Sequence, residues 1–345
     1  MNRTISPHLA VLALAVGISV ITVSAASAGQ LALGGSSKAT LDGLSSRQLI
    51  DALDESTRSD PDRAQLIKER LWQQRGTIQR PDVISAITDD RRSQESRELM
   101  VDLLAGDPDE AKSSDDVRAL LRDGRLDSAL KARLIVSHEF STEDSALLDS
   151  LASGSEEPVA FHALKKLGSA DPVAARRVAL AALSRADGCS DSKLSASYKV
   201  LVRSGTLESD RATRGTLLRH LTSVLAVDKT SPELRDSATF ALADMRSLEA
   251  LRILLGSAGV DRALIGGAID QNALLIKTAL EQNPDEATIA LAITAMELHP
   301  VSDIAEPLGA VRSRVKSPAL RQRLEAALVH IANEGIPMNP KWTEE

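Results

Sequence analysis

The chain is 345 residues long, and its 48 acidic side chains outnumber its 41 basic ones for a net charge of −7. The two signs interleave and aromatic residues make up only 2%, so neither a basic face nor a stacking platform for nucleic acid is available. Cys189 is the sole cysteine, which excludes an internal disulfide and leaves packing to hold the fold.

The N-terminus reads as an address. Arg3 is the only charge ahead of an apolar run from Leu9 to Val23, and Ala26-Ser27-Ala28 follows it. A positive start, a short apolar run and a small-x-small ending predict a secretory signal peptide over residues 1–28, cleaved after Ala28. The run is shorter than the roughly 20 residues a spanning helix needs. The alternative is an uncleaved membrane anchor. No later stretch is long and apolar enough to span a membrane. The expected location is the periplasm or the medium.

Residues 29–44, with Gly34-Gly35-Ser36-Ser37 at their centre, predict a flexible linker. A helical repeat domain is predicted over 45–334. Ser45-Ser46 caps a helix with Leu49, Ile50 and Leu53 on one face. Asp60-Pro61 opens the next, with Ala64, Ile67 and Leu71. Pro81 opens another, with Val83, Ile84 and Ile87. Leu99, Met100, Leu103 and Leu104 follow, and Gly106-Asp107-Pro108 ends that helix.

The acidic stretch Asp107–Asp116 predicts a solvated connection with an acidic helix start. It lacks the alternation and central glycine of a calcium loop. From Val117 onward no run alternates with period two, and helix candidates recur about every 20 residues.

Four of these candidates carry one stripe at i, i+3, i+4, i+7. Ala160, Ala163, Leu164 and Leu167 form the first. Ala175, Ala179, Ala182, Leu183 and Ala186 form the second, with Arg176. Pro232, Leu234 and Arg235 open the third, followed by Ala238, Ala241, Leu242 and Met245. Pro318, Leu320 and Arg321 open the fourth, followed by Leu324, Ala327, Leu328 and Ile331. Arg176 to Arg235 spans 59 residues, and Arg235 to Arg321 spans 86. At this spacing those are about three and four helices, and the domain holds about sixteen helices in eight units. Residues 335–345, with Pro337 and Pro340, form a C-terminal tail that cannot continue a helix.

Catalytic patterns are not met. His138-Glu139 lacks the second histidine of a zinc-protease helix, because position 142 is Thr142. His8, His138, His162, His220, His299 and His330 give no pair three or four residues apart. Gly256-Ser257-Ala258-Gly259 and Gly266-Gly267 fit neither nucleotide-loop spacing, and Gly266-Gly267 predicts a helix break or close helix packing. Cys189, within Asp187–Asp191, reads as a loop thiol, with a reactive or intermolecular thiol as the alternative. No catalytic, cofactor-binding or metal-ligating set is predicted.

Ser231-Pro232-Glu233-Leu234-Arg235-Asp236-Ser237-Ala238 resembles the opening of the second helix of a HEAT repeat. Pro318-Ala319-Leu320-Arg321 and Asp171-Pro172-Val173-Ala174-Ala175-Arg176 resemble it too. The resemblance implies an all-α, right-handed alpha-solenoid of stacked antiparallel helix pairs, HEAT/armadillo-like. It implies a packing role against the next repeat for Arg176, Arg235 and Arg321. Repeat stacks expose a long row of helices to partners. The expected function is therefore a noncatalytic interaction scaffold that binds a protein or peptide, with no cofactor. The alternatives are a lyase-type enzyme, as some HEAT-like proteins are, or an anchored envelope scaffold.

Overall fold

A computed structural model describes residues 41, 43–107, 109–203, 207, 210–227 and 229–333. The predicted signal peptide and C-terminal tail lie outside them, as does nearly all of the predicted linker. The chain divides into two units, Met1–Leu44 and Ser45–Glu345. The second is all-α, and no strand occurs among the described residues.

Its helices are α1 (Ser46–Ser59), α2 (Pro61–Gln73), α3 (Arg80–Thr88), α4 (Gln94–Ala105), α5 (Glu110–Arg122), α6 (Ser128–Ser137), α7 (Ser145–Ser153), α8 (Glu157–Ala170) and α9 (Pro172–Leu183). They continue as α10 (Asp191–Arg203), α11 (Arg211–Ala226), α12 (Pro232–Asp244), α13 (Leu248–Leu255), α14 (Arg262–Glu281), α15 (Glu286–Leu298), α16 (Ser302–Ala310) and α17 (Pro318–Asn333). Seventeen described helices therefore stand where the spacing predicts about sixteen.

Local chemistry sets most of the starts. Ser45 and Gln48 form a reciprocal capping box, with the Gln48 amide donating to the Ser45 hydroxyl. Asp60, Ser93, Asp127, Asp171, Asp210, Ser231, Ser247, Asp261 and Asp285 each accept a first-turn backbone N–H. Each cap satisfies a donor that the helix itself leaves unpaired.

Packing follows chain order. The helices α4, α6, α8, α10, α12, α14 and α16 touch in succession, each on the next of the series. Opposite them α7, α9 and α11 follow one another, as do α13, α15 and α17. Between the rows the apolar stripes meet. Ala163, Leu164 and Leu167 of α8 are fully buried, as are Ala175 and Ala179 of α9. Leu242 of α12 and Leu324 of α17 are fully buried as well. Small alanines let neighbouring helices approach with few large rings between them.

The Pro-x-Leu-Arg stamp does not mark one repeating position. It opens α12, which lies in the even series, and α17, which lies in the odd one. The weaker copy opens α9, also odd. Five helix steps separate α12 from α17, where the spacing predicts about four. The stamp is a local start signal, a cap followed by proline in the first turn. Nothing in it specifies which row a helix joins.

Candidate functional site

The described residues singled out by sequence make contacts within the fold, and His8 lies outside the described residues. His138 is buried, with Nε2 3.2 Å from the Ser114 hydroxyl and its ring 5.0 Å from Phe140, edge to face. Burial holds its pKa below the ordinary imidazole value. Its neighbour Glu139 points into solvent, 3.6 Å from Lys166. His162 packs edge-on against Phe161, and His220 Nε2 lies 3.0 Å from the hydroxyl of fully buried Tyr198. Among the described residues no three His, Cys, Asp or Glu side chains gather in a metal-ligating group.

Cys189 is half-buried, with its thiol 3.6 Å from the Ala182 carbonyl at the end of α9. Asp107 accepts from Arg80 Nε at 2.8 Å, and Asp116 lies 3.6 Å from the same guanidinium. The acidic stretch thus gathers around a cation supplied by α3.

The glycines and arginines have a joint explanation. Arg235 Nη1 donates to the Gly259 carbonyl and Nη2 to the Val227 carbonyl, each at 3.3 Å. Arg176 pairs with Asp210, the cap of α11, and Arg321 donates to the Val315 carbonyl at 2.8 Å. All three guanidiniums bind groups beyond their own helices. Gly266 lies inside continuous α14, and a Cβ there would come within 3.2 Å of the His299 ring. Of the two readings of Gly266-Gly267, close packing describes Gly266.

Sequence reasoning missed the feature with the clearest chemistry. A cleft of about 250 Å³ lies between α8 and α10, lined by Lys165, Gly168 and Ser169 on one side. Lys199, Val200 and Arg203 line the other, and Pro172 of α9 closes an end. The Glu157 carboxylate accepts from the Ser192 hydroxyl, which fixes the register of α8 on α10. One turn on, Phe161 underlies Lys165, with Nζ 5.2 Å from the ring centroid. Gly168 brings the helices close, since a Cβ there would sit 3.4 Å from Val200.

Its electrostatics set this cleft apart. The Lys165 side chain reaches solvent, yet its ammonium stands over an aromatic ring between two helices. Partial burial first, then the positive charges of Lys199, Arg203 and Lys166, push its pKa below the ordinary lysine value. Among the described residues no carboxylate pairs with Lys165, Lys199 or Arg203. Several other such side chains bridge to a neighbouring helix of their row. Arg133 on α6 holds Glu98 and Asp102 of α4 at 2.7 and 2.6 Å. Arg214 on α11 meets Glu249 of α13 at 3.0 Å, and Arg323 on α17 meets Glu297 of α15 at 2.7 Å.

A sequence signal for this cleft exists. Positions three and four residues either side of Lys165, Lys199 and Arg203 hold no Asp or Glu, so none of the three is neutralised within its own helix. That α8 and α10 face each other is a tertiary fact.

No protein-family model matches this chain, and no curated protein or solved structure matches it.

Proposed function

We propose that the protein is an exported, noncatalytic alpha-solenoid of HEAT-like helix pairs that binds a protein or peptide partner. One observation carries the reading: the even-numbered helices from α4 to α16 touch in one chain-ordered series, flanked by the shorter runs α7–α9–α11 and α13–α15–α17. Such stacking leaves a row of helices open along its length, a surface suited to an extended polypeptide. The start of the chain supports export, through Arg3, the Leu9–Val23 run and Ala26-Ser27-Ala28. The same surface carries a cleft lined by three cations and no carboxylate.

The test is capture of a partner by tagged protein expressed in its own cells, with identification by crosslinking and mass spectrometry. A defined polypeptide crosslinked to the even-numbered helices is the expected result. Turnover of a substrate by the purified chain, abolished by one side-chain change, overturns the noncatalytic reading.

A further inference from the structure

We propose that the cleft between α8 and α10 seats an acidic segment of a bound polypeptide, with Lys165, Lys199 and Arg203 receiving its carboxylates. The proposal rests on the protein-binding reading above and names the chemistry of the partner.

Three features converge. The cleft is concave, with a volume of about 250 Å³. It accepts side-chain ends, which an extended or looped segment presents. Its walls carry three cations and the Ser169 hydroxyl, all donors, and no acid. One carboxylate neutralises one of three charges, so closely spaced acids complement the set best. Finally, the cluster stands out in a chain of net charge −7. Like charges held together without a partner disfavour the folded state, and an anionic ligand relieves that repulsion.

The depressed pKa of Lys165 supplies an independent readout. An ammonium held below its ordinary value is more often the free amine and acylates faster. A bound carboxylate raises the pKa again and slows the reaction.

The experiment uses the full chain after export and fluorescein-labelled hexaglutamate as probe, read by anisotropy. Unlabelled hexaglutamate, hexaglutamine and inorganic phosphate serve as competitors, and trace acetylation of Lys165 is followed in parallel. Hexaglutamate is expected to bind and to protect Lys165, and hexaglutamine to do neither. The variant K165Q/K199Q/R203Q is expected to weaken binding by about tenfold or more. All three side chains are exposed, so its melting temperature is expected to hold or rise. The charge-matched variant R47Q/R63Q/R91Q, distant in sequence and also exposed, is expected to bind as the unmodified chain does.

Equal weakening by both variants overturns the proposal in favour of diffuse charge. Protection of Lys165 by phosphate as strong as by hexaglutamate overturns it in favour of a small-oxyanion site. A native partner captured equally by K165Q/K199Q/R203Q leaves the protein-binding reading standing and removes this seat from it. Hexaglutamate bound at the cleft of a chain that captures no partner supports the seat and counts against the wider reading.

Discussion

Arg235 lays its guanidinium against Gly259, with Nη1 3.3 Å from the glycine carbonyl and 3.3 Å from where a Cβ would stand. The pair ties α12 to the turn before α14, and Nη2 ties the same side chain back to Val227 after α11. A helix-start residue thereby joins its own helix to the loops that follow α11 and α13.

Arg235→Ala is expected to cost about 1–2 kcal/mol, since charged donors to backbone carbonyls contribute at that level. Gly259→Ala is expected to cost less, because the guanidinium end is flexible. The double variant is expected to be no less stable than Arg235→Ala alone. Urea unfolding of the four proteins checks this, and additive losses would show that the two residues do not act together.

Truncating the stripes tests the packing itself. Leu242→Ala is expected to cost about 3–5 kcal/mol, in the upper part of the range for buried leucines, because Leu242 is fully buried. Leu328→Ala on the terminal helix α17, where 7% of the side chain is exposed, is expected to fall near about 2–3 kcal/mol. Denaturant midpoints for both decide the order.

Stability is expected to fall as the medium is acidified through the histidine range. Burial lowers the pKa values of His138, His162 and His220 in the fold. The unfolded chain then binds more protons than the folded one once pH drops below about 6.5. Their contribution is full above that value and is lost towards and through the lowered folded pKa values. The carboxylates with lowered pKa values, Asp54, Asp123, Asp144, Glu157, Asp210 and Asp285, act only at lower pH, below about 4.5. Melting temperature against pH, compared with H138Q/H162Q/H220Q, is expected to lose its slope between about pH 6.5 and 5 in the variant. An unchanged slope assigns the effect elsewhere.

Export and stacking predict two quantities of the native protein. Its first residue is expected to be Gly29, checked by N-terminal sequencing from the cell envelope or medium. Intact Met1 in membranes favours the anchored scaffold. The radius of gyration in solution is expected to exceed the roughly 20 Å of one compact domain of this length. A value near that figure counts against a solenoid.

Helix starts, apolar stripes and the all-α class follow from the sequence, because each depends on residues within one or two turns. Asp171 and Ser231 cap the helices they precede, and the stripe of Ala160, Ala163, Leu164 and Leu167 is buried as its periodicity predicts. Row membership was beyond that reach: α12 and α17 share a stamp and differ by an odd number of helices, so loops and packing place them in different series. The α8–α10 cleft depends on the same information. Lys165 and Lys199 are far apart in sequence, and each is an ordinary exposed lysine on its own helix. Their clustering in one cleft exists only once the two helices are set side by side in one register. Helical periodicity is set within a helix by its 3.6-residue turn, whereas facing pairs are set by the packing of every helix between them.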